Sequence, residues 1–554
     1  MTNEFYGFEP GLGENIMNAQ THHDQTSIYD VVIVGAGFAG LYLIHLLRSR
    51  GLTVRCFEAG DGVGGTWYWN RYPGARCDVE SQEYSFSFNK ELEREWRWTE
   101  RYSDQTQILG YLNFVADRLE LRRDIALSAR VQSAIFDDIR KRWTVQASNG
   151  ETAIARFCIM ATGCLSAAQL PNIKGRDSFK GELYHTGQWP HHDVDFEGKH
   201  VGVIGTGSSG IQVIPQIAQR AKHLTVFQRT PNFSIPAWNK PLSPEKIADW
   251  NMNRDDYRAI AKKSRSGILY EYATRSVFDV NEDERLKEYE ARWLRGGANF
   301  VHAFNDLFLD EKANETAAAF VKEKIRSRVK DPQIAKILTP NDHPIGTKRI
   351  CVDTDYYETY NRKNVTLVDL RKEPMTGISP EGIALGDRII PLDMIVFATG
   401  FDAVTGALLR IDIRGQNGLT LKETWQEGPK SYLGLAVAGF PNLFIVTGPG
   451  SPSITTNVVM AIEQHVEWIG RCVTDLKSKP DVMIEARSDA QENWVQHVRD
   501  VAAGTLFPKA KSWYMGANIP GKPQVFLPYI GGLGNYTRLC DEIATDNYRG
   551  FLIY

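Results

Sequence analysis

One pattern occurs twice in this chain and constrains its fold more than any other feature. The β-branched run Val31 to Val34 leads into GAGFAG, Gly35 to Gly40, and then into an apolar helical pattern ending at Leu47. A second strand, within GLTVRCFEAG, ends at Glu58. The segment VGVIGTGSSGIQVIPQIAQRAKHLTVFQRT, residues 201–230, repeats the arrangement with Gly205, Gly207 and Gly210. A lone GxGxxG is a weak signal. Framed by strand, helix and strand, it marks a turn that places a pyrophosphate on a helix N-terminus. The first glycine makes the turn, the second lets the backbone approach the phosphates, and the third lets helix and strand pack closely. The expected fold class is α/β, with two Rossmann-like dinucleotide-binding domains.

The two units differ where the second strand ends. Twenty-three residues after the first glycine stands Glu58 in one unit and Gln228 in the other, followed by Arg229. A carboxylate accepts hydrogen bonds from an unphosphorylated ribose, whereas an arginine pairs with a 2′-phosphate. The first unit is therefore expected to hold FAD and the second NADPH. Two further apolar runs, FCIMATG (157–163) and MIVFATGFD (394–402), both end in Ala-Thr-Gly, where a two-domain flavoprotein passes its chain between domains.

Between Lys240 and Ile345 the texture changes. LSPEKIADW starts a helix with Ser243 as N-cap and Pro244 in the first turn. DERLKEYEARWL and TAAAFVKEKIRSRV continue with helical periodicity. The expected organisation is a polar arm (1–29), an FAD-binding domain (30–164 and 396–554), an NADP-binding domain (165–239 and 346–395) and a helical insertion in the latter (240–345).

Bulk properties exclude other classes. A net charge of −3 without a basic stripe argues against nucleic acid. The seven cysteines have no CxxC spacing, which disfavours a zinc site or a dithiol centre and fits a reducing cytoplasm. The first thirty residues lack the basic and apolar regions of a secretory signal, and residues 31–47 are too short and too glycine-rich for a membrane span. A monomer or weak homo-oligomer without membrane attachment is expected.

Two segments remain unexplained by a nucleotide fold alone. GGTWYWNRYPGARCDVES (64–81) places Arg71, Arg76 and Asp78 in a Gly/Pro-rich loop just after the first unit. FKGELYHTGQWP (179–190) spends Phe179, Tyr184, His185 and Trp189 in a connection too polar for a core strand. These segments resemble the two signatures of the type I Baeyer–Villiger monooxygenases, the second being FxGxxxHxxxW. The resemblance covers nearly the whole chain after Ile28, and SWYMGANIPGKP and FATGFDAVTGAL look most like the phenylacetone and steroid enzymes of that family.

The resemblance implies a flavoprotein that uses NADPH and dioxygen to insert one oxygen beside a ketone carbonyl, through a flavin peroxide, giving an ester or lactone. It implies that Arg349 stabilises anionic oxygen, that Asp78 positions Arg349, and that Lys348 joins Arg229 at the 2′-phosphate. By the same likeness His185 couples the domains, Trp513 closes over NADP and substrate, and NADP⁺ stays bound during turnover. For FAD the contacts expected are Gly35, Gly37, Phe38, Ala39, Gly40 and Glu58, then Gly65, Thr66, Trp67, Trp69, Arg76, Cys77, Asp78 and Tyr84, and finally Val131, Ala161, Thr162, Gly163 and Val458. For NADP they are Gly205, Thr206, Gly207, Ser208, Ser209, Gly210, Gln212, Arg229, Thr230, Lys348, Ala398, Thr399 and Gly400, with Arg349 and Trp513 shared. One stretch departs from the relatives: Ile454, Thr455 and Thr456 replace an Ala/Leu/Ser pattern, so the particular ketone is not implied. A flavin monooxygenase acting on nitrogen or sulfur, or a non-oxygenating reductase or sensor, is the competing reading.

Overall fold

Steric demands of the glycines organise two separate sheets. The computed structural model describes residues 27–554. The first sheet runs Asp412–Arg414, Val131–Asp137, Arg142–Ala147, Thr152–Met160, Ser27–Val34, Val54–Phe57, Ile125–Ala126, with Leu443–Ile445 also pairing on Thr152–Met160. Its centre is parallel, with Val34 beside both Phe57 and Met160. The second sheet runs Val365–Asp369, His223–Gln228, His200–Ile204, Met394–Phe397, Glu182–His185, parallel throughout. Val31, Val32 and Ile33 are fully buried, as are Val201 and Val203; Val31 and Ile33 pack with the helices, while Val32 packs with the antiparallel strands Val131–Asp137 and Arg142–Ala147.

The two glycine turns share one geometry. Gly37 and Gly207 precede helices Phe38–Ser49 and Ser208–Arg220 with φ/ψ of −83/−160° and −82/−168°. Gly35 and Gly205 have φ of 106° and 108°, a region that favours glycine. A Cβ on Gly35 would lie 2.5 Å from the Ala161 carbonyl oxygen, and one on Gly205 would lie 2.5 Å from that of Ala398. The two Ala-Thr-Gly strands therefore end against the first glycine of each unit. Gly40 and Gly210 sit over the carbonyls of Gly35 and Gly205, at 1.9 and 2.3 Å from a notional Cβ. Gly40→Ala is expected to lower Tm and yield protein lacking oxidised-flavin absorbance, because the clash is with backbone and exceeds ordinary overpacking of about 1–3 kcal/mol. Thermal melts and a visible spectrum check it.

Three sequence expectations change. Residues 27–29 open the strand Ser27–Val34, so only residues 1–26 of the expected arm lie outside the described residues. Met394–Phe397 lies wholly in the second sheet, so the chain leaves that sheet after Phe397 and a boundary at 395/396 would cut a strand. The connection read as too polar for a core strand carries a short edge strand: Glu182–His185 is the edge of the second sheet, paired with Met394–Phe397. Its four residues run from exposed to buried along the strand, too short a run to show apolar alternation.

Helices Pro244–Lys263, Glu282–Arg295, Glu311–Arg328 and Pro332–Leu338 occupy the insertion. Ser243 caps the first by accepting from the Lys246 amide at 3.2 Å. A short parallel pair, Ser234–Pro236 with Cys351–Asp353, closes the base of this insertion. Among the described residues no helix is long and apolar enough to cross a membrane.

Candidate active site

A cavity of about 420 Å³ opens along the first glycine turn. Gly35, Gly37, Phe38, Ala39 and Glu58 line it, as do Gly65, Thr66, Trp67, Trp69, Tyr84, Val131, Ala161, Thr162, Gly163 and Val458. Glu58 follows strand Val54–Phe57 and is 4 % exposed. The Ala36 and Gly60 amides donate to it at 2.7 and 2.8 Å. Burial raises its pKa, and those amides oppose the rise. A buried carboxylate at the strand end, beside a glycine cradle, fits the ribose and pyrophosphate of FAD.

The 64–81 loop is docked onto the second domain by one glutamine. Gln212 accepts from the Tyr72 hydroxyl at 2.8 Å and donates to the Arg76 carbonyl at 2.9 Å. A Cβ on Gly74 would meet the Gln212 carbonyl oxygen at 2.7 Å, so the loop lies directly on helix Ser208–Arg220. This brings Ser208, Ser209 and Gln212 to the same cavity as Arg76, Cys77 and Asp78. Arg71, also expected to face it, turns back instead and donates to the Tyr68 carbonyl at 2.8 and 2.9 Å.

Arg349 is held from three directions. Its Nε and Nη2 donate to the Asp78 carboxylate at 2.8 and 2.7 Å, a bidentate fork. Its Nη1 donates to the Ile454 carbonyl at 2.8 Å. Burial alone would lower its pKa, but the facing Asp78 carboxylate holds it well above the arginine range. Asp78, Arg349, Ile454 and Thr456 line the 420 Å³ cavity and, on their other side, a chamber of about 120 Å³. Trp513, in the short turn Trp513–Met515, lines the larger cavity, and its neighbour Tyr514 lines the chamber. Burial pushes the Tyr514 hydroxyl up to about 12, so it stays a neutral donor. Thr455 also faces the chamber, while Val79 belongs to the larger cavity.

The second glycine turn is open where the first is enclosed. A Cβ on Gly207 would meet nothing within 4 Å. Lys348 and Arg229 form no ion pair among the described residues, yet stand close enough that Arg229 helps lower the Lys348 pKa, after burial and against Asp342. Two neighbouring cations that form no ion pair among the described residues fit a 2′-phosphate, with Asp342 facing Lys348 from the insertion. Thr206 donates to the Thr230 carbonyl at 3.0 Å, tying the turn to the strand end. Ala398, Thr399 and Gly400 continue from the neighbouring strand.

His185, grouped with the reacting residues by likeness, lies outside the lining of both cavities. It is 6 % exposed, its Nδ1 accepts from the Gly187 amide at 3.0 Å, and its Nε2 is 3.3 Å from the Thr399 hydroxyl. The strand pairing sets Phe397 beside His185, which carries the ring to the Ala-Thr-Gly turn. Gly187 and Gln188, the next residues, do reach the cavity. Sequence reasoning missed Tyr270, His302 and Arg265 in the chamber wall. All three come from the insertion, and no local motif marks them.

Residues 29–249 match the family described as pyridine nucleotide-disulphide oxidoreductase. All seven cysteines are free. A solved structure described as oxidized steroid monooxygenase bound to NADP superposes with a TM-score of 0.91 at 51 % identity, covering 95 % of this chain and 99 % of that one. A Baeyer-Villiger monooxygenase of Pseudooceanicola batsensis is 42 % identical over 97 % of this chain and 98 % of its own. A phenazine N-monooxygenase of Lysobacter antibioticus is 43 % identical, covering 97 % and 98 %. With two dinucleotide folds and a fixed arginine between them, the molecule is an FAD- and NADP-dependent flavoprotein monooxygenase. The chain belongs to the Baeyer–Villiger monooxygenase family.

Proposed function

We propose that this enzyme converts bulky ketones to esters or lactones, with Arg349 as the charged catalytic residue and Asp78 as its positioning partner. The observation that carries the proposal is the Asp78–Arg349 fork, which faces the flavin cavity on one side and the chamber on the other. Bound FAD, reduced by NADPH, supplies the activation of dioxygen. The chain's own part is to hold positive charge where negative charge develops on oxygen. At ~4 Å and an effective dielectric of ~20, one such charge contributes about 4 kcal/mol. Trp513 and Tyr514 exclude water from the junction of the cavities. His185 ties the Ala-Thr-Gly turn to the edge strand and couples the two sheets. The seven free cysteines support a cytoplasmic setting.

Bulky ketones are favoured by the likeness to the steroid monooxygenase. The phenazine N-monooxygenase likeness supports one second reading, oxidation of a heteroaromatic nitrogen. Incubation with NADPH, oxygen and a panel of aryl, polycyclic and small aliphatic ketones plus N-heteroaromatics separates them. Esters from the larger ketones are expected. N-oxides without esters would overturn the ketone reading.

NADPH should be preferred over NADH. Losing one charge-assisted contact costs about 1.5–3 kcal/mol, roughly tenfold to a hundredfold. Lys348→Ala should therefore raise KM for NADPH by that factor and leave that for NADH nearly unchanged, as steady-state kinetics would reveal. Gly207→Ala should keep the wild-type Tm, since its Cβ meets no protein atom within 4 Å, yet weaken NADPH binding. A fall of about tenfold is expected for one displaced phosphate contact.

A further inference from the structure

The wall shared between neighbouring cavities gives the chamber a direction. Asp78, Arg349, Ile454 and Thr456 face both the flavin cavity and the chamber. Arg265, Ile530 and Gly532 face both the chamber and a wide groove at the surface. The chamber is thus a passage with the reacting arginine at its inner end and Arg265 at its outer end.

Several polar side chains in this passage have no protein partner among the described residues, and His302 and Arg265 are two of them. His302 sits among Tyr272, Tyr270 and Phe308, with ring centroids at 4.8, 5.1 and 6.0 Å. Among the described residues its imidazole makes no hydrogen bond. Its backbone carbonyl alone is used, accepting from the Ala273 amide at 3.2 Å. Burial, then the charges of Arg265 and Arg292, lower its pKa to about 3. The ring is therefore neutral at working pH and offers one N–H and one acceptor nitrogen. Arg292 is committed to Glu288 at 2.7 Å and to the Glu271 carbonyl at 2.8 Å. Arg265 makes no hydrogen bond or ion pair with its side chain among the described residues. A passage that keeps a neutral imidazole near an unpaired guanidinium leaves two donors for an oxygen acceptor.

We infer that His302 and Arg265 form a selectivity site for ketones carrying a second carbonyl remote from the one that reacts. The inference rests on the ketone reading above. The reacting carbonyl lies toward Arg349, and the second carbonyl accepts from His302 and Arg265. A substrate carbonyl that accepts from these donors is bound more tightly than the analogue lacking it, by about the worth of one hydrogen bond. Neither residue takes part in the oxygen insertion itself.

The test uses a fused-ring diketone and its mono-ketone analogue, in which the remote carbonyl is a methylene. KM and kcat are measured separately for wild type, His302→Leu, His302→Gln and Arg265→Gln, with flavin content and Tm recorded for each. Wild type should show a KM at least about tenfold lower for the diketone, equivalent to one hydrogen bond. In His302→Leu the ratio of the two KM values should fall toward one, His302→Gln should restore part of it, and Arg265→Gln should reduce it. Equal KM values in wild type, or variants that change both substrates by the same factor, would overturn the site while leaving the ketone reading intact. Esters from neither substrate would overturn both. If His302→Leu fails to fold, His302→Gln and the exposed Arg265→Gln decide the question.

Discussion

Arg349→Ala is expected to abolish ester formation, by on the order of 10³ or more, while the protein still binds FAD and still oxidises NADPH. The size follows from losing about 4 kcal/mol of charge stabilisation at the reacting oxygen. FAD binding should survive because Glu58 and the Gly35 turn hold it from the other end of the cavity. Flavin reduction should slow less than product formation, since the hydride transfer does not need a cation at the substrate oxygen. The substitution also leaves the Asp78 carboxylate partly buried with no partner, so Tm should fall. Stopped-flow absorbance with product assayed in parallel separates these effects. Near wild-type ester production would remove the arginine from the mechanism.

Asp78→Ala should act through geometry and not through charge. Arg349 would keep its positive charge but lose both anchors at 2.7 and 2.8 Å, leaving only the Ile454 carbonyl. A misplacement of about 1 Å costs on the order of a hundredfold, so ester formation should drop by about that factor. Asp78→Asn, which keeps one oxygen acceptor, should fall between Asp78→Ala and wild type. A loss in Asp78→Ala as large as in Arg349→Ala, with no recovery in the asparagine variant, would argue for a direct chemical role of the carboxylate. His185→Ala should be milder than either, because its ring contacts Gly187 and Thr399 outside the lining of both cavities.

The parts of this molecule that were legible from residues are those where local sterics dictate residue type. Gly35, Gly40, Gly205 and Gly210 each sit against a backbone carbonyl that excludes a Cβ, so their spacing survives as a readable pattern. The positions of Glu58 and Arg229 at the strand ends were readable for a related reason: the length of each unit fixes where its second strand stops. The edge strand Glu182–His185 was not legible, because it is only four residues long and its exposure falls along its length instead of alternating. The orientation of Arg71 was set by a nearby carbonyl, which no spacing rule records. The chamber was least legible of all. Tyr270, His302 and Arg265 are brought into one chamber with Arg349 by the packing of the insertion, across sequence separations that no motif spans.

The central claim is that one atom of dioxygen is inserted beside a ketone carbonyl under control of the Asp78–Arg349 pair. The direct measurement is turnover of a bulky ketone with NADPH under ¹⁸O₂, followed by mass spectrometry of the product. The account predicts an ester or lactone carrying a single ¹⁸O, in about one-to-one proportion with NADPH consumed, and loss of that product in Arg349→Ala. Consumption of NADPH with hydrogen peroxide as the only oxygen product, or labelled N- or S-oxides with no labelled ester from any ketone, would contradict it.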